Sequence, residues 1–167
     1  MSHAMSALQA DDKPALYTLL LQQVRALLEN ERDFTANCAN VGALLYCSLE
    51  QLNWAGVYQV KHGELVLGPF QGKPACVRIA LGRGVCGTAA ATRRTLVVPN
   101  VHEFDGHIAC DSASNSEIVV PLLLAERLIG VLDLDSPVFE RFDQADRHGL
   151  EAIAAALLAG SDIPVEA

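Results

Sequence analysis

Positive charge is in short supply in this chain: 12 Lys and Arg stand against 20 Asp and Glu, a formal net charge of −8. A surface of that sign repels phosphate backbones and anionic lipid, so no nucleic-acid or membrane partner is expected. Long apolar runs are missing as well. Stretches such as Ile153–Ala159 fall far short of the roughly 20 residues that span a bilayer. The opening MSHAMSALQADDK has neither the basic nor the apolar region of a secretory signal. The expected location is therefore cytoplasmic, where thiols stay reduced, and the five cysteines are expected free rather than stapled. Their odd number points the same way. Also lacking are the Lys and Ser/Thr of a P-loop, the pattern of a Ser–His–Asp hydrolase, the dinucleotide fingerprint, and the C-x-x-C spacing of structural zinc.

What remains is enough for one domain. A chain of 167 residues, 51% apolar and 19% charged, is neither disordered nor fibrous and can bury a core without disulfides. Residues 1–12 read as a flexible tail and 13–167 as a single domain. From Lys13 to Asn30 the apolar set Leu16, Leu19, Leu20, Val24, Leu27 and Leu28 recurs at helical spacing. A second helix is predicted over Phe34–Leu52, with Asp33 as its N-cap. Its Cys38 and Cys47 read as small buried residues, the usual fate of free cysteine in a core.

The pattern then turns to strands. Trp54–Val60 and Glu64–Phe70 flank the turn Lys61-His62-Gly63, a hairpin signal. A third strand is expected over Cys76–Ala80, a short helix over Val85–Thr92 and a strand over Thr95–Val98. Val101–Asn115 shows no periodicity, which marks a functional loop. Two longer strands, Glu117–Leu124 and Leu128–Leu134, precede a closing helix over Phe142–Leu158. Short connections require antiparallel pairing. The expected fold is thus α+β: an antiparallel sheet of about six strands, terminal helices on one face, and a ligand pocket under a loop on the other.

Chemistry concentrates between Ala75 and Asp135. Cys76, Cys86 and Cys110 stand in its first half, and Glu117, Asp133 and Asp135 in its second. Cys86 opens a short helix after the glycine-rich GRGVCG, where backbone N–H groups favour a thiolate or hold an anion; packing as a small residue under the loop is the competing reading. Cys110 lies in the irregular loop, where scaffolds present reactive groups, though spacing alone does not single it out. His102, His107 and Cys110 share that loop but offer no recognised ligand spacing, and no metal is expected. Strand alternation over LIGVLDLDS places Ile129, Val131, Asp133 and Asp135 on one face and Leu132 and Leu134 on the other. Acids on an apolar strand are costly unless they face solvent or a polar ligand. Clustered, they raise one another's pKa, so that one holds a proton near neutrality. Trp54 and Tyr58 share a face of their strand and either wall a pocket or pack in the core.

Five segments carry a resemblance: NWAGVY (Asn53–Tyr58), GPFQGKPACVRI (Gly68–Ile79), GRGVCGTAA (Gly82–Ala90), HIACDSASNSEIVVP (His107–Pro121) and IGVLDLDSP (Ile129–Pro137). Together they resemble the free methionine-(R)-sulfoxide reductases, single-domain proteins of the GAF fold. The resemblance implies that Cys110 attacks the sulfoxide sulfur, that Cys76 is the recycling partner, and that Cys86 lines the pocket in a less settled redox role. It implies acids at Glu117, Asp133 and Asp135 and pocket aromatics at Trp54 and Tyr58. Beside it, the chemistry of a sulfoxide calls for an acid at its oxygen, with Glu117 and Asp135 the candidates. Asp133 is expected to pair with the substrate ammonium, and backbone N–H groups at Gly84, Val85 and Cys86 to hold its carboxylate. No cofactor is expected, with thioredoxin as external reductant and a homodimer as the assembly. The rivals are a GAF module that senses a small molecule without turnover, and a thiol switch.

Overall fold

The computed structural model describes residues 10–106 and 112–164. Helix α1 (Lys13–Leu28) starts where Asp12 accepts a hydrogen bond from the Ala15 N–H and Pro14 occupies the first turn, both usual at a helix start. Asp12 thus belongs to the domain rather than to a tail. Helix α2 (Phe34–Ser48) is capped by Asp33 through the Ala36 N–H, as its sequence predicts. Strands β1 (Trp54–Lys61) and β2 (Glu64–Gly72) form a hairpin. His62 and Gly63 turn it with φ of 53° and 80°, left-handed at both positions as a tight two-residue hairpin requires.

Strand β3 is only Arg78–Ala80. Cys76 and Val77, expected within it, belong to the connection from β2. Helix α3 (Gly84–Thr92), strand β4 (Leu96–Val98), a 3-10 turn (Val101–Glu103), strands β5 (Ser116–Leu124) and β6 (Arg127–Ser136), and helix α4 (Gln144–Ala159) complete the order. Helix α4 starts later than its apolar pattern suggests, because Asp143 and Asp146 form a capping box there.

All strand pairs are antiparallel, in the order β3-β2-β1-β6-β5-β4. Two three-stranded meanders are therefore joined at the centre by β1 and β6. Helices α1, α2 and α4 cover one face, where Leu20, Val24, Val41, Leu45, Leu150 and Ile153 meet Ala55, Val57, Ile118, Val120, Leu132 and Leu134. Helix α3 lies against the other face, with Val85, Ala89 and Ala90 among Trp54, Tyr58, Val119 and Val131. Both faces of the central strands are buried, which is why their sequences read as nearly continuous apolar runs. Gly130 lets β1 and β6 close up: a Cβ there would stand 2.1 Å from the Tyr58 carbonyl oxygen. No helix among the described residues is long and apolar enough to cross a membrane.

Two expectations are corrected. Ile129 packs with Leu132 and Leu134 on the helix-covered face, not with Val131, Asp133 and Asp135. The register slips between Leu122, opposite Gly130, and Leu123, opposite Leu128; such a bulge inverts the alternation on one side of it. Cys47 is exposed while Cys38 is buried. Nine residues apart, they lie about half a turn from one another around α2, so only one can face the core.

The amino end of α4 is tied to α1 by one buried carboxylate. Asp146 accepts from the Lys13 ammonium at 2.5 Å, the Tyr17 hydroxyl at 2.9 Å and the Arg141 guanidinium at 3.2 Å. This network lies on the helical side and leaves the α3 side free for chemistry.

Candidate active site

Sheet register assembles the site. Trp54 on β1 stands opposite Asp135 on β6, which stands opposite Glu117 on β5. One row along, Gly56 faces Asp133 and Asp133 faces Val119. The absence of a side chain at Gly56 is used: a Cβ there would meet the Trp54 ring at 2.6 Å. The indole lies across that gap, stacked on Tyr58 at 5.9 Å and Phe70 at 5.3 Å, and its Nε1–H donates to the Lys73 carbonyl at 3.1 Å.

Helix α3 supplies the remaining wall. Gly84 has φ of 61°, and its turn brings Gly84, Val85 and Cys86 to the same cavity as Trp54, Tyr58, Glu117, Asp133 and Asp135. The cavity encloses about 530 Å³ counting its open mouth, within the range of small-ligand sites. Eight of the ten residues singled out in the sequence thus converge. Cys76 stands beside them in the β2–β3 connection, its carbonyl accepting from the Tyr58 hydroxyl at 3.0 Å. Cys76 is disulfide-bonded, whereas Cys38, Cys47 and Cys86 are free. Cys110 and His107 lie outside the described residues.

Sequence reasoning missed Lys73, Arg83 and Ser114, which also line the cavity. Ser114 accepts from the Asn53 side-chain amide at 3.0 Å. Lys73 and Arg83 thus bring two basic residues to the rim of a site otherwise rich in carboxylates. Arg83 sat in the quoted GRGVCG turn, but nothing in that motif says which way its side chain is used.

Burial dominates the electrostatics. Glu117 is pushed well above the usual carboxylate range by desolvation, then by the charges of Asp133 and Asp135 and a hydrogen bond with Asp133. Asp133 is raised to about 7, again by burial, with hydrogen bonds from Cys86 and Glu117 opposing the rise. Burial and close approach thus bias both carboxyls toward their protonated forms, as expected for two neighbouring buried acids. The Cys86 thiol is raised well above its ordinary value by burial and then by Asp133, Glu117 and Asp135. Of the two readings of Cys86, three acids and a dry environment oppose the thiolate and agree with a small neutral residue packed at the start of α3. Its Sγ–H donates to Glu117 Oε1 at 3.7 Å. Among the described residues, Cys86, Glu117 and Asp133 are also the one set of donors close enough to share a metal ion.

The GAF domain family model matches residues 15–159. The free methionine-R-sulfoxide reductase of Escherichia coli is 53% identical over 87% of this chain and 88% of its own. The chain belongs to the free methionine-(R)-sulfoxide reductase family. Among solved structures, the free methionine-R-sulfoxide reductase of Neisseria meningitidis in complex with its substrate superposes with a TM-score of 0.90. It is 45% identical and covers 95% of both chains. A protein of Burkholderia vietnamiensis described as a GAF sensor is 60% identical, with a TM-score of 0.87 over 90% of this chain and 96% of its own. In this reductase family the fold alone does not separate catalysis from sensing, and the carboxyl pair in the cavity becomes the feature to interpret.

Proposed function

We propose that this protein reduces free L-methionine-(R)-sulfoxide to methionine. The observation that carries the reading is a buried carboxyl group, Glu117, biased by its surroundings toward the protonated form and set beside an aromatic wall in a cavity of small-ligand size. A sulfoxide is a poor electrophile until its oxygen accepts a proton, and in this reading Glu117 supplies it. The methyl group lies against Trp54 and Tyr58. The substrate ammonium donates to Asp133, whose Oδ1 is buried and has no partner, with Asp135 adjoining it. The α-carboxylate takes the N–H groups at the amino end of α3 around Gly84 and Val85, a setting that favours anions, with Lys73 and Arg83 nearby.

In this reading the Cys110 thiolate attacks the sulfoxide sulfur. The S–O bond of the substrate breaks, methionine leaves, and Cys110 retains the oxygen as a sulfenic acid. The Cys76 thiolate then attacks that sulfur, water departs with the oxygen, and a disulfide joins the two cysteines. Thioredoxin returns both thiols by exchange, so one dithiol is oxidised for each sulfoxide reduced. The disulfide-bonded state of Cys76, with Cys38, Cys47 and Cys86 free, supports the pairing. Cys86 serves as a neutral wall. The assembly is a homodimer, as in the resemblance, and the reducing compartment is the cytoplasm.

Quench measurements on pre-reduced protein without added reductant test this scheme. Wild type and Cys76→Ser should each form about one methionine per chain, Cys110→Ser none, and only wild type should cycle with thioredoxin. Turnover by Cys110→Ser would remove the nucleophile, and binding of the sulfoxide without any methionine would favour a sensor.

A further inference from the structure

We propose that Cys86, Glu117 and Asp133 form a zinc-binding site on the floor of the cavity, and that zinc held there excludes the sulfoxide. Binding stands on geometry alone; only the consequence for substrate rests on the proposed function.

The three side chains come from α3, β5 and β6, and one donor atom from each lies within 4.8 Å of the others. Zinc binds thiolate sulfur at about 2.3 Å and carboxylate oxygen at about 2.1 Å, so a tetrahedral site separates S and O by about 3.6 Å. Cys86 Sγ and Glu117 Oε1 are 3.7 Å apart. The resting proton in that S–H···O contact and a zinc ion are therefore alternative occupants of nearly the same geometry.

An independent observation points to a missing ligand. Asp133 is 6% exposed and lines the cavity, yet its Oδ1 is buried with no hydrogen-bond partner. A buried acceptor left without a donor costs roughly 1–3 kcal/mol, and a cation removes that cost. One thiolate and two carboxylates suit a borderline-soft ion better than Mg²⁺ or Ca²⁺, which prefer all-oxygen sites. On binding, the Cys86 thiol proton and the Glu117 carboxyl proton pass to solvent, and three anionic donors surround the ion. The thiol's position in the first turn of α3 stabilises the anion once the metal is present. The fourth coordination position opens into the cavity, the space that the substrate ammonium and sulfoxide need. No spacing rule reveals this set, because residues 86, 117 and 133 are brought together only by the sheet register.

Protein in the state described, with Cys76 disulfide-bonded and a Cys47→Ser substitution to remove the exposed thiol, should be titrated with zinc by calorimetry and with cobalt(II) by absorption. One equivalent should bind, and cobalt should give a near-ultraviolet sulfur-to-metal charge-transfer band. Cys86→Ser should abolish the band and Asp133→Asn should weaken zinc at least 10-fold; thermal melts identify which variant remains folded, and either one decides. Free methionine-(R)-sulfoxide should displace the metal. Absence of the band in the parent protein, or stoichiometry and affinity unchanged in both variants, would overturn the proposal. Zinc binding in protein that never turns over sulfoxide would leave the site standing and count against the catalytic reading alone.

Discussion

Replacing Asp133 by Asn should make the protein more stable at neutral pH while stopping its chemistry. Burial raises the Asp133 carboxyl from an ordinary 3.8 to about 7, so the folded state holds a proton that the unfolded chain releases. Folded-state proton binding in excess means that stability falls as pH rises through that window. Each pH unit is worth about 1.4 kcal/mol. The cost is below about 1 kcal/mol at pH 4, grows between pH 4 and 7, and reaches about 4 kcal/mol at pH 8. Asn keeps the shape and cannot ionise. Its amide cannot reproduce both carboxyl contacts, at a cost of ~2 kcal/mol at any pH, so a net gain of ~2 kcal/mol at pH 8 is expected, turning into a net loss of ~1 kcal/mol at pH 4. Urea denaturation of wild type and Asp133→Asn across this range provides the readout. A variant less stable than wild type at pH 8, or a difference independent of pH, would refute the account of a carboxylate held at a cost to stability. Loss of turnover alongside the gain would identify that cost as functional.

Tyr58→Phe removes the hydrogen bond to the Cys76 carbonyl and nothing from the ring stack. A bond of that kind is worth about 1 kcal/mol, so thioredoxin-driven cycling should slow about 3- to 10-fold, more than the initial burst of methionine. Equal slowing of both would dismiss a positioning role for the hydroxyl. Gly130→Ala forces a Cβ to within 2.1 Å of the Tyr58 carbonyl oxygen and must part β1 from β6. It should cost at least ~2 kcal/mol in urea denaturation, and a change below about 0.5 kcal/mol would mean that the two strands are less tightly closed than described.

Period-two alternation is local, and so it pairs Trp54 with Tyr58 on one face of β1 and Asp133 with Asp135 on one face of β6 before any coordinates exist; the register between strands is what brings them and Glu117 to a common face. The caps at Asp33 and the turn at His62-Gly63 are legible for the same reason. What escapes depends on partners distant in sequence. The bulge that turns Ile129 away from Val131 is a property of β5 and β6 together, and neither strand announces it alone. The helix-start argument for a Cys86 thiolate omits the dry wall and three acids that the fold assembles around the sulfur. Lys73 and Arg83 reach the cavity from loops whose paths no periodicity sets. Cys47 could have been read correctly, because its offset from Cys38 already puts it on the far side of α2. The role of the Cys110 segment rests on its resemblance, since residues 107–111 lie outside the described structure.

The central claim is that a free amino-acid sulfoxide of one configuration is the substrate. Thioredoxin-coupled NADPH oxidation should be followed with free methionine-(R)-sulfoxide, the (S) epimer, and an N-blocked (R)-sulfoxide in parallel. Saturable turnover of the free (R) epimer, with neither of the others consumed, is the result predicted if the cavity engages a substrate ammonium at Asp133 as proposed. Equal turnover of the N-blocked compound would contradict it, and so would no turnover of any of the three by protein whose thiols are reduced and whose fold is intact.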